Sequence, residues 1–428
     1  METFGQGVYG ILSLVSKNEE NHVVKYIKGN DTFIGVAESF VREATVLQKC
    51  NHPYIMKAED ISSEHILSFG IIQMERAECS LADLLRRIPK YDDIPYNHKR
   101  IVSCIASALY YLEQKDILYG DLKPENVVIK KNGDPLLIDF GLVVFENYEG
   151  KETMELTTYP WKAPEQLASF YVTDNISEFK SNVWTFGLIM YFVYERKMLK
   201  YSELDQSLLR TILTITGTPD EDNEFFDKIP KQMAIGPNMP LTAITGDDDV
   251  DDVIFGCLDW NLKRRPTMYE VCTHYYLNLA VDPPLDRFDK LNIKLLEETP
   301  DYKKFCKGLR DSRDVVMAYV PLACAIFLKS KLRMTETMPY TCLILSSKIH
   351  GGYYHDEILY YLDDNGLNSI VCKEEVKVMK ACNYDLYIPT SLSLLNLVKN
   401  DQKNRIKLAK IILEGNVRDL LLLSNDLF

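Results

Sequence analysis

Two apolar triplets, Val127-Val128-Ile129 and Leu136-Leu137-Ile138, flank Asn132-Gly133-Asp134, a tight-turn signal, and together they predict a two-stranded hairpin. Leu118-Tyr119-Gly120-Asp121-Leu122-Lys123-Pro124-Glu125-Asn126 leads into it, and Asp139-Phe140-Gly141 leads out. Loop, strand, turn, strand and loop in that order bring Asp121, Asn126 and Asp139 together at one edge of a small sheet. Earlier in the chain, His22-Val23-Val24-Lys25-Tyr26-Ile27 alternates like a strand. Ser39 to Leu47 has a helical period, with Phe40, Ala44 and Leu47 on one stripe. Tyr96 to Glu113 reads as a second helix, and Val143 to Lys162 as a long loop. After Asp282-Pro283-Pro284, about 130 residues look wholly helical.

Composition narrows the class. Hydrophobic residues are 46% and charged residues 26% of 428, ordinary for a soluble globular protein with room for several cores. Net charge is 49 − 62 = −13, which argues against a general nucleic-acid or anionic-membrane binder. The longest apolar run, Val315 to Leu328, contains a proline and is shorter than the roughly 20 residues a membrane span needs. It reads as a buried helix. The ten cysteines show no CxxC pair, and Met1-Glu2-Thr3-Phe4 is not a targeting segment. The expectation is reduced, buried thiols in an intracellular protein of cytoplasm or nucleus. The acidic run Asp247 to Asp252 reads as a solvated loop or a helix start.

Chemistry enters with the hairpin's polar ends. An acid able to take a proton from a hydroxyl, beside an Asn and an Asp able to bind Mg²⁺ through oxygen, suits phosphoryl transfer from a nucleotide. Residues Gly5-Gln6-Gly7-Val8-Tyr9-Gly10 form a glycine-rich turn whose N–H groups can approach phosphates. That turn, the strand Lys25, the helix Glu43, the Asp121/Asn126 loop and Asp139-Phe140-Gly141 follow one another in the order of eukaryotic-type protein kinases, and the chain closely resembles them. The resemblance implies an α+β, bilobal kinase fold: a small antiparallel-sheet N-lobe at 1–77 and a helical C-lobe at 78–280. It implies ATP and Mg²⁺ as cofactors and protein substrates with Ser/Thr acceptors. Lys25 would hold phosphates and pair with Glu43. Leu12, Val23 and Val128 would sandwich adenine, and Met74, Glu75, Arg76 and Ala77 would form gatekeeper and hinge. Asn126 and Asp139 would hold the metal, Asp121 would act on the substrate hydroxyl, and Lys123 with Thr158 would mark the serine/threonine type. Ala163-Pro164-Glu165 matches the close of the activation segment, with Arg265 as the late arginine that pairs with Glu165.

Ile215-Thr216-Gly217-Thr218-Pro219 and the run Thr153 to Glu165 resemble the cyclin-dependent branch. A linker at 281–298 would then lead to an all-α domain at 299–428. There Lys348, and Glu375 opening a helix that ends near Ala381-Cys382-Asn383-Tyr384-Asp385-Leu386, resemble a cyclin box, in which those two charges contact the kinase. The tail would activate the kinase in cis, or in a second copy in trans. Such a fusion suggests a streamlined source of the kind a large DNA virus would be, and so a host cell as its location.

The departures are informative. The usual His-Arg-Asp reads Tyr119-Gly120-Asp121, Asn182 stands for an Asp, and Val144 stands where an arginine of the phosphothreonine cradle is usual. Only Arg42 of that cradle remains, so Thr153 at the phosphosite position is expected not to control activity. The competing expectation is a pseudokinase or scaffold whose helical tail binds partner proteins.

Overall fold

The computed structural model describes residues 2–7, 10–17, 20–28, 37–64, 69–86, 97–145, 157, 158, 160–167, 179–195, 205–221, 223, 225–233 and 245–282. In the C-terminal part it describes 323, 326, 327, 329–333, 335, 337–349 and 368–386. Val8, Tyr9, Thr153 and residues 283–298 of the expected linker lie outside the described residues.

The chain begins with a five-stranded antiparallel sheet: β1 (Glu2–Gly7), β2 (Gly10–Lys17), β3 (Glu20–Lys28), β4 (Ala58–Glu64) and β5 (Phe69–Glu75), in the order β1-β2-β3-β5-β4. The glycines of the N-terminal turn close the β1–β2 hairpin, with Gly7 opposite Gly10. In β3, Lys25 lies opposite Leu12 of β2 and Ile72 of β5, in the middle of the sheet.

Helix α1 (Glu38–Lys49) packs on this sheet. Its first turn carries Glu38 and its last Lys49, each sign complementing the helix dipole. The ring of Phe40 lies so close to Gly70 of β5 that a Cβ there would sit 2.1 Å from it, so glycine is what lets helix and sheet meet. An amphipathic surface helix buries one stripe. Here every residue from Phe40 to Leu47 is buried, Arg42, Glu43 and Thr45 included. That pattern requires cover on a second face.

Beyond Ala77 the described residues are mostly helical. Strand β6 (Cys79–Ser80) runs into α2 (Leu81–Arg86). The long α3 (His98–Glu113) is capped by Asn97, whose side chain accepts from the Arg100 N–H at 2.9 Å. Next come β7 (Ile117–Leu118), the hairpin β8 (Val127–Ile129) and β9 (Pro135–Leu137), and β10 (Val144–Phe145), which pairs with β7. Helix α4 (Phe179–Glu195) is apolar nearly all round and buried through the lobe's centre. Helix α5 (Asp205–Thr216) shares its core, α6 (Asp248–Cys257) packs against it, and α7 (Met268–Thr273) packs on α3. The acidic run does start a helix, with the Asp247 side chain accepting from the Asp249 N–H at 3.1 Å. Thr267 and Glu270 form a capping box on α7.

The C-terminal segment contributes α8 (Met338–Ile349) and α9 (Asn368–Ala381). Of the apolar run near residue 320, Ala323, Ile326 and Phe327 are described, and all three are buried. Glu375 does not open a helix: α9 begins at Asn368 and Glu375 lies inside it. Polar residues around Asn368 masked the true start in the sequence. Helix α8 covers the second face of α1. Tyr384 stacks edge-on against Phe40, with ring centroids 6.1 Å apart. The described cysteines are all free thiols. Among the described residues no helix is long and apolar enough to cross a membrane.

Candidate active site

The β8–β9 register pairs Val127 with Leu137 and Val128 with Leu136, and the Ile138 N–H donates to the Asn126 carbonyl at 3.0 Å. Asn126 and Asp139 therefore end up side by side, as the pattern predicts. Gly133 closes the turn with φ of 84°.

Two polar networks meet here. In the first, the Lys25 ammonium donates to Glu43 Oε2 at 2.7 Å and Oε1 at 3.0 Å, and to Asp139 Oδ1 at 2.9 Å. Burial alone would lower the Lys25 pKa, but the two carboxylates outweigh it and hold it above its ordinary value. Burial pushes the Glu43 carboxyl up against the pull of Lys25. For Asp139 burial also acts upward, yet Lys25, Lys123 and the Gly141 N–H hold it below the usual carboxylate range. Asp139 sits at φ 59°, a conformation that L-residues rarely adopt.

In the second network Asp121, 5% exposed, collects donors on both oxygens. Lys123 Nζ donates to Oδ2 at 2.7 Å and Asn126 Nδ2 to the same oxygen at 2.9 Å. The Thr158 hydroxyl donates to Oδ1 at 2.6 Å and in turn accepts from Lys123 at 2.8 Å. With its amide nitrogen committed to Asp121, Asn126 keeps its Oδ1 for another ligand. One ionised carboxylate plus one amide oxygen fits a hard divalent cation that completes its shell with water and nucleotide phosphates. Among the described residues no larger His/Cys/Asp/Glu cluster offers an all-protein metal cage.

Tyr119 replaces the histidine expected before the catalytic loop. It is fully buried, its hydroxyl donates to the Ile138 carbonyl, and its ring lies edge-on to Phe140 at 5.4 Å. Burial pushes its pKa well up, so it remains a donor. Leu12, Val23 and Val128 are each half-buried, while Met74 is buried and Glu75 exposed. Glu165 and Arg265 form a buried bidentate pair at 2.6 and 3.1 Å, with Arg265 over the Trp184 ring.

Of the regulatory candidates, Arg42, Lys348 and Glu375 are among the described residues. Arg42 donates through Nε to the Gly141 carbonyl at 2.8 Å and through a guanidinium nitrogen to the Lys348 carbonyl at 3.2 Å. It links α1, the Asp139 loop and α8. Lys348 meets α1 through its carbonyl, while its ammonium pairs with Glu375 at 2.6 Å, both side chains 1% exposed. Thr45, which pattern reading did not single out, and Tyr384, named there only within the motif that closes the helix, join the same contact. The Thr45 hydroxyl donates to the Tyr384 carbonyl at 3.1 Å, and the Tyr384 hydroxyl lies 3.3 Å from Ser63 Oγ. The available signal was polar residues inside a helix that also carries an apolar stripe.

This fold and this pair of networks define a protein kinase. Residues 1–277 match the protein kinase domain, and the chain belongs to that family. It is 26% identical over 313 residues to calcium-dependent protein kinase 5 of Plasmodium falciparum, covering 71% of this chain and 49% of that protein. It is 27% identical over 290 residues to cyclin-dependent kinase D-1 of Arabidopsis thaliana, covering 66% and 71% respectively. It is also 27% identical over 303 residues to a cyclin-dependent kinase 4 homolog of Caenorhabditis elegans, covering 65% and 71%. The chain thus spans about half the length of the Plasmodium protein.

Proposed function

We propose that the protein is an ATP- and Mg²⁺-dependent serine/threonine kinase of the cyclin-dependent type, and that its C-terminal helical segment acts in cis as a cyclin-like activator. One observation carries this reading. The helix that brings Glu43 to Lys25 is covered by that segment, whose Lys348 and Tyr384 carbonyls accept from Arg42 and Thr45. Tethering supports it, since a linked partner acts at an effective concentration that can reach about millimolar.

In the proposed mechanism, Lys25 stays protonated and holds the nucleotide's α- and β-phosphates, with Glu43 fixing its position. Asn126 and Asp139 would hold the metal, which would supply charge neutralisation for the nucleotide's phosphates. Asp121 orients the acceptor hydroxyl and takes its proton. Lys123, already bridging Asp121 and Thr158, stabilises the transferred phosphoryl. Catalysis of this kind is positioning and electrostatics, so control of α1 is control of rate.

Labelled-ATP transfer to a generic basic protein, followed by phosphoamino-acid analysis, tests the acceptor class. Phosphoserine and phosphothreonine are expected; a predominance of phosphotyrosine would overturn it.

A further inference from the structure

Gly120, where the family pattern has an arginine, is at φ 76°, and its carbonyl is not left open. The Thr157 hydroxyl donates to it at 2.8 Å. Gln166 Nε2 donates to Thr157 Oγ1 at 2.9 Å, and the Ala163 N–H donates to Gln166 Oε1 at 2.9 Å. All three side-chain or backbone partners are buried, with Thr157 5% and Gln166 8% exposed. The polarity of the chain is forced. A carbonyl only accepts, so the Thr157 proton must point at Gly120, and its lone pair is then left for the Gln166 amide. The Ala163 N–H fixes which end of that amide is oxygen.

One residue along, the Thr158 N–H and hydroxyl both reach Asp121 Oδ1, at 3.3 and 2.6 Å. Residues 157 and 158 thus face residues 120 and 121 as adjacent rungs, one anchored and one chemical.

We propose that Thr157 and Gln166 are positioning residues, a hydrogen-bonded clasp that holds the end of the activation segment on the catalytic loop and so sets the Asp121–Thr158–Lys123 geometry without a phosphate. The proposal rests on the protein kinase reading of Asp121. Gly120 joins the clasp through its backbone, at φ 76° with its carbonyl accepting from Thr157.

Thr157→Val keeps shape and removes the hydroxyl; Thr157→Ser keeps the hydroxyl; Gln166→Glu keeps shape and removes the donor. In the full chain, Thr157→Val and Gln166→Glu are expected to lower kcat by about 10- to 100-fold, the cost of a small misplacement. KM for ATP should stay within about twofold, because the clasp does not touch the Lys25 network. Thr157→Ser should recover most of kcat. Amide hydrogen exchange over 160–167 should speed up in Thr157→Val and not in Thr157→Ser. Kinetics of Thr157→Val and Gln166→Glu that match wild type would overturn the proposal. So would equal impairment of the Val and Ser variants. If wild type transfers no more phosphate than Asp121→Asn, the kinase reading fails instead, and exchange alone decides the clasp: unchanged exchange in Thr157→Val overturns it.

Discussion

Replacing Asp121 by Asn is expected to lower phosphate transfer by about 10²- to 10⁴-fold, the usual worth of a positioned general base, with the fold retained. Both Asp121 oxygens accept: Oδ2 from Lys123 and Asn126, and Oδ1 from Thr158. An amide of the same shape turns an NH₂ group toward one of these donor sets, so the base and part of its orientation go together. Radiolabelled transfer to a basic protein, compared between wild type and Asp121→Asn at equal folded protein, checks it. Equal incorporation would favour a scaffold whose catalytic loop no longer turns over.

The second large effect is expected at Arg42, far from the phosphates. Arg42→Ala removes donors from two buried carbonyls, Gly141 beside the Asp139 loop and Lys348 on α8. Leaving buried acceptors unmet costs about 1–3 kcal/mol each. That energy holds α1 in place, so kcat should fall by about 10- to 100-fold, since about 1.4 kcal/mol is tenfold. Arg42→Lys should rescue only partly, because an ammonium cannot present the guanidinium's fixed fork of donors to both carbonyls. Steady-state kinetics, with hydrogen exchange across α1 and α8, measures both effects. Wild-type kcat in Arg42→Ala would show that the bridge does not control the site.

Much of the catalytic centre was legible because its determinants are local. The Asn132-Gly133-Asp134 turn fixes the β8–β9 hairpin, and the hairpin fixes which ends meet. The single stripe of Phe40, Ala44 and Leu47 identified α1 and the face it puts on the sheet. Its other face was not legible. Arg42 and Thr45 look like solvated helix residues until a segment some 300 residues away covers them. Lys348 is marked by its charge, yet what accepts from Arg42 is its carbonyl, which every residue possesses. Thr157 and Gln166 escaped for a related reason: a hydroxyl and an amide in a loop become a clasp only through the fold. Gly120 signals that a phosphate-reading side chain is missing, and only the geometry shows that its carbonyl accepts from Thr157.

The most direct test is phosphate transfer by the full chain purified alone, treated with phosphatase and given no partner protein. The account predicts robust incorporation, well above Asp121→Asn, and unchanged by Thr153→Ala. Incorporation at the Asp121→Asn level, or appearing only after treatment with an upstream kinase, would contradict it.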